Sequence, residues 1–153
     1  MRCTECGADV SNDQTCRARF EALLASDYGG VAEAAAVHAL TVLTYQLQHP
    51  SGVKPWYLAS GYDVMRRIFG RGEDWRAVLQ GVRQASGSDI GQRWKQTVSA
   101  VPAGVVTSPV PGEMTIGDID PAAPVGHADR VLAWARSVAR GRVGVNDSTI
   151  SEQ

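Results

Sequence analysis

Residues 31–47 read VAEAAAVHALTVLTYQL, and this stretch decides the fold. It has helical length and good helix formers, and it is apolar on nearly every side. A surface helix shows one apolar stripe, whereas one that is apolar all round sits at the centre of a bundle. The reading is therefore a buried central helix from residue 31 to residue 48, ended by His49-Pro50.

Working outward, the neighbours are helical too. From Thr15 the apolar period is close to 3.6, with Cys16, Phe20, Leu23, Leu24 and Asp27 on one face and Gly29-Gly30 as the stop. Lys54-Pro55-Trp56 opens a third helix, since proline suits a first turn. It carries Trp56, Leu58, Val64, Met65, Ile68 and Phe69 and closes at Gly70 and Gly72. A fourth covers residues 73–85 with Trp75, Val78, Leu79 and Val82 as its stripe, and a weaker signal runs over 89–99 around Ile90, Trp94 and Val98. Residues 101–126 hold five prolines and four glycines and read as a long ordered loop, with room for one or two short strands. The last helix spans 125–140, with His127, Val131, Trp134 and Val138 inward; the four tryptophans of the chain read as core anchors. The expected fold is all-α: one domain over residues 1–141, a bundle of about five helices with an N-terminal knuckle at 1–16, and a disordered tail over 142–153.

Composition narrows the function. The formal net charge is −1, so neither nucleic acid nor an anionic membrane is expected as partner. There is no apolar run near the ~20 residues needed to span a bilayer. Cys3, Glu5, Cys6 and Asp9 interrupt the place where a secretion signal would be apolar. The expectation is a cytoplasmic protein whose partner, protein or small molecule, the residues do not name.

The chemistry-bearing feature is at the start. All three cysteines, Cys3, Cys6 and Cys16, fall within the first sixteen residues. Cys3-x-x-Cys6-Gly7 has knuckle spacing: two thiolates grip one tetrahedral ion while glycine allows the tight turn. Cys16 opens a helix, where the unpaired amides and dipole favour a thiolate. An odd count argues against a disulfide framework. Zinc, Zn(2+), is the expected ion, and its fourth ligand comes from the three histidines, His38, His49 and His127. With the helix hairpin bending near Gly29, position 16 faces position 42. His38 then lies ~6 Å off that level and His49 ~10 Å, which favours Cys3, Cys6, Cys16 and His38, with His49 as the alternative. A redox pair at Cys3 and Cys6, or unrelated free thiols, are the competing readings.

The run VHALTVLTYQLQHPS at 37–51, with the opening CxxCG, resembles a bacterial family of uncharacterised proteins. The segment MTIGDIDPAAPVGHADRVLAWARSV is similar to the C-terminal part of the same family. The resemblance places His38, Tyr45, Gln46, His49, Asp118, His127 and Trp134 on motif positions and implies no activity.

Enzymatic function is left open. His49, His127 and Asp118 are the candidate catalytic groups, with Asp118 and Asp120 near His127 as a carboxylate–imidazole pair. A pocket lined by Tyr45, His49, Tyr57 and His127 would serve a small ligand. His38 and His49 are ~16 Å apart along one helix, so one ion cannot bind both. A three-histidine helical metal centre is disfavoured, because a closely spaced histidine pair on the last helix is missing. No phosphate loop, nucleophile motif or paired-carboxylate signature occurs. Arg66, Arg67, Arg71 and Arg76 form a candidate partner surface.

Overall fold

The computed structural model describes residues 1–27, 32–86, 104, 106–123 and 125–146. The weak helical signal at 89–99, the Gly29-Gly30 stop and the tail over 147–153 lie outside the described residues. Among the described residues there are five α-helices and no strand beyond one isolated bridge, Arg2 to Asp9. They are α1 (Cys16–Asp27), α2 (Ala32–Gln48), α3 (Pro55–Met65), α4 (Trp75–Ser86) and α5 (His127–Val138). The all-α bundle is thus as expected, and among the described residues of the 101–126 loop there is a 3-10 turn, Ile116–Asp118, in place of the short strands allowed for.

Each start has a local cause. Thr15 caps α1, its hydroxyl accepting from the Ala18 amide at 3.0 Å. Pro55 occupies the first turn of α3. The Asp74 carboxylate accepts from Ala77 at the start of α4.

The central helix is α2. It packs against α1, α3, α4 and, most extensively, α5. Val37, Leu40, Leu43 and Leu47 are buried, and so are Thr41, Thr44 and Gln48. The two threonines turn back on their own helix, donating to Val37 and Leu40 carbonyls at 3.1 and 2.7 Å. Gln48 lies at the α2–α5 seam, accepting from Trp134 Nε1 at 2.9 Å and donating to the Met114 carbonyl at 2.7 Å. Burying these groups without partners would cost about 1–3 kcal/mol each. Of the tryptophans, Trp134 is fully buried, while Trp56 and Trp75 are only half-buried. Gly61 lets α3 approach α2, since a Cβ there would stand 3.1 Å from Leu47.

The C-terminal boundary needs correction. The sequence places the end of the last helix at residue 140 and the start of a disordered tail at residue 142. Instead α5 runs on through a π turn, Ala139–Val143, and ends at Gly144 in the left-handed conformation (φ 75°). Arg142 continues the buried stripe one turn after Val138 and is itself buried. Gly141 serves another purpose: a Cβ there would meet Val110 at 3.1 Å and Glu113 at 3.2 Å, so it seats the loop rather than ending the helix.

Candidate metal centre

The first ten residues form a tight knuckle. The Cys3 amide donates to Ala8, Gly7 to Cys3, and Val10 to Met1. Gly7 takes φ 81°, a left-handed turn that favours glycine, and its Cα face lies 3.2 Å (to a notional Cβ) from Pro109. The turn brings the Ala8 amide to 3.5 Å from Cys6 Sγ. Two sulfurs therefore come from the knuckle, a third from the first turn of α1, and the nitrogen from the residue after α2.

That nitrogen belongs to His49. Cys3, Cys6, Cys16 and His49 place their ligand atoms within 4.8 Å of one another. Cys6 and Cys16 sulfurs are 3.6 Å apart, as are Cys3 Sγ and His49 Nε2. A tetrahedron with metal–sulfur legs of ~2.3 Å has edges near ~3.8 Å, so these separations suit one small ion. Cys6, Cys16 and His49 are buried and Cys3 is half-buried.

His38, the favoured fourth ligand on register grounds, is not in this group. The reason is the hairpin register. Phe20 stacks on Tyr45, ring centroids 3.9 Å apart and planes 3° from parallel. Carrying that pairing one turn along each helix sets Cys16 opposite His49, not opposite position 42. His38 sits three turns earlier, ~16 Å along α2.

The imidazole is oriented for ligation. His49 Nδ1 donates to the Tyr45 carbonyl at 3.0 Å, leaving Nε2 and its lone pair to the sulfurs. A backbone carbonyl behind the ligating ring is the usual outer-shell arrangement for a metal-bound histidine. Tyr45 also stacks on the ring at 4.2 Å, which completes a column of Phe20, Tyr45 and His49. Burial pushes the Tyr45 hydroxyl up to about 12, so it stays protonated.

The electrostatics assign charge within the cluster. A hydrogen bond from the Cys16 thiol pulls Cys6 down to about 4. Cys16 is raised well above its ordinary value by that same bond, by burial and by the charge on Cys6. One negative charge is thus shared across the 3.6 Å contact between the two sulfurs, in which either can donate. Burial lowers His49, but the Cys6 hydrogen bond and charge outweigh it and raise the imidazole above its usual value. Without a cation, protons hold the group together. With one, the protons leave and the sulfurs carry the charge.

Two contacts fasten the knuckle to the bundle. The Ser51 amide donates to Glu5 Oε1 at 3.0 Å, two residues after His49. Arg142 Nη2 donates to the Glu5 carbonyl at 2.7 Å. Arg142 also forms a fully buried ion pair with Glu113 at 3.0 Å and donates to the Val106 carbonyl. Sequence reasoning missed both Arg142 and Glu113. The signal was present in the i, i+4 continuation from Val138, masked by ending the helix at residue 140.

The other candidates lie on separate elements. His127 opens α5, buried, seven residues and about 10 Å of helix rise before Trp134, which meets Gln48. Asp118 is exposed and closes a capping box, its carboxylate accepting the Thr115 amide at 2.7 Å. Asp120 accepts the Ala122 amide. Tyr57 stacks on Trp56 at the surface of α3. A groove of about 320 Å³ lies between α1 and the 116–121 turn, lined by Ala18, Arg19, Ile116 and Asp120 among others. None of Tyr45, His49, Tyr57 and His127 lines it. In the arginine cluster, Arg67 and Arg71 engage Glu73, Arg66 lies over Tyr62 and Arg76 over Trp75. No helix among the described residues is long and apolar enough to cross a membrane.

The chain belongs to a family of unknown function, DUF5946, whose model matches residues 1–141. That match takes in all four ligand residues. No curated protein matches the chain, and no solved structure does.

Proposed function

We propose that Cys3, Cys6, Cys16 and His49 bind one zinc ion as a structural centre, and that the protein is a zinc-stabilised helical binding module. The observation that carries this reading is the convergence of four soft or borderline ligand atoms from three separate chain segments to within 4.8 Å. Three sulfurs and an imidazole select zinc over the oxygen-loving divalent ions. Four protein ligands fill a tetrahedron, and catalytic zinc keeps one position for water or substrate, so the donor set argues for structure over catalysis. His49 is thereby committed, which leaves the pocket reading with Tyr45, Tyr57 and His127 alone.

The three cysteines are free thiols, a state that suits a reducing compartment such as the cytoplasm. A net charge of −1 favours a protein or a small molecule as partner over nucleic acid or an anionic membrane.

The test is metal analysis of protein purified without added metal, alongside His49→Ala and His38→Ala. The expected result is one zinc per chain for the parent and for His38→Ala, and none retained by His49→Ala. A folded parent that carries no zinc and takes up none on titration overturns the reading.

A second reading, thiol redox sensing, is favoured by one observation: the Cys6 and Cys16 sulfurs lie 3.6 Å apart. Burial of both residues counts against it, since redox-sensing thiols are solvent-accessible.

A further inference from the structure

The inference rests on the zinc reading and concerns what the ion controls. Arg142 is 2% exposed and sits 137 residues from the knuckle that it grips. Its guanidinium joins three chain segments. Nη2 donates to the Glu5 carbonyl at 2.7 Å, Nη1 to the Val106 carbonyl at 3.0 Å, and Nε and Nη2 straddle the Glu113 carboxylate at 3.0–3.1 Å. Its own carbonyl accepts the Tyr62 hydroxyl at 3.1 Å. Glu5 lies between Cys3 and Cys6, and its side chain holds the Ser51 amide beside His49. The same residue therefore spaces the ligands and receives the arginine.

We propose that Arg142 couples metal occupancy to docking of the C-terminal turn. Zinc on the four ligands holds residues 106–114 and 139–145 in place, and its loss releases them. The physical reason is that a buried guanidinium needs its acceptors fixed. One of them is a carbonyl inside the Cys-x-x-Cys turn. When the ion leaves, the turn keeps its backbone hydrogen bonds but loses the bonds that pin its sulfurs to α1 and His49, the Glu5 carbonyl shifts, and the fork is left short of an acceptor. By linkage, whatever the ion does for the turn, the turn does for the ion. The Val145 side chain lies 3.9 Å from a notional Cβ at Gly70, so undocking uncovers part of α3 and its π turn, Arg66–Gly70. The module would then present a different face in its metal-free state.

Hydrogen exchange on the full chain, zinc-loaded against chelator-stripped, tests this without any mutation. Amides in 106–114 and 139–145 should exchange at least about tenfold faster after stripping, while those around the Leu47–Gly61 contact change little. Unchanged exchange in both segments, in a chain shown to release one zinc, overturns the coupling and leaves the zinc site standing. Failure to bind zinc at all would instead overturn the earlier reading. A second arm uses Arg142→Lys, which keeps a cation for Glu113 but loses the planar fork. Zinc affinity, measured by equilibrium competition with a chelator, should fall by at least about tenfold. A variant that melts earlier yet binds zinc with the parent affinity shows that Arg142 only supports the fold.

Discussion

Two buried polar clusters sit at the same end of the bundle and are built on opposite plans. In one, Arg142 meets Glu113, a cation against an anion, with carbonyls taking the remaining guanidinium protons. In the other, three thiols and an imidazole face each other, and every member is an electron-pair donor. The first cluster is complete with protein atoms alone. The second leaves lone pairs facing one another unless it holds protons or takes a cation. Burial is tolerable for both, but only the second has a reason to bind something from outside. The lesson is that an ion site is recognised by the sign of what is missing, as much as by the residues that are present.

That contrast can be broken at either cluster. The largest effect should follow loss of the cation. Cys16→Ser, or chelation, should lower unfolding free energy by more than about 3 kcal/mol in urea titrations and abolish metal retention. A Cys16→Ser protein as stable as the parent would mean that the sulfurs need no ion. Next comes the self-sufficient pair. Glu113→Ala leaves a buried guanidinium uncompensated and should cost about 3–5 kcal/mol, while Glu113→Gln, which keeps an acceptor, should cost less. Equal losses in the two variants would show that packing, not charge, sets the cost.

Smaller still is the seam between α2 and α5. Trp134→Phe removes the indole donor to Gln48 and should cost about 1–3 kcal/mol with metal content unchanged. Metal loss in that variant would show that the seam positions His49 as well. The last test concerns protons. In the metal-free protein, Cys6 should titrate near about 4, followed by thiolate ultraviolet absorbance. Its folded value lies below its unfolded one while that of Cys16 lies above, so the pair's contribution is lost as pH falls through the lowered Cys6 range and declines again as pH rises above the ordinary thiol range. An absorbance step confined to the ordinary thiol range would place the proton elsewhere and remove the Cys16-to-Cys6 hydrogen bond from the picture.

How much of this could be read from the residues differs from place to place. The helices were legible because periodicity and caps are local: Thr15, Pro55 and the apolar run of α2 each act within a few positions. The cluster of three thiols was legible because Cys-x-x-Cys-Gly is also local. His49 was present only as an alternative. Choosing it over His38 depends on how two helices slide past one another, and the Phe20–Tyr45 stack sets that register. Gly141 illustrates the opposite failure. A glycine near a helix end reads as a stop, but here it makes room for Val110 and Glu113 across the fold.

By itself the chain dictated an all-helical bundle, a buried central rod and a cluster of three thiols, since these follow from short-range spacing and side-chain chemistry. Tertiary structure alone decided which imidazole joins the thiols and that Arg142 turns inward to clasp the knuckle. Both depend on atoms far apart in the chain, brought together by packing whose register no single segment encodes.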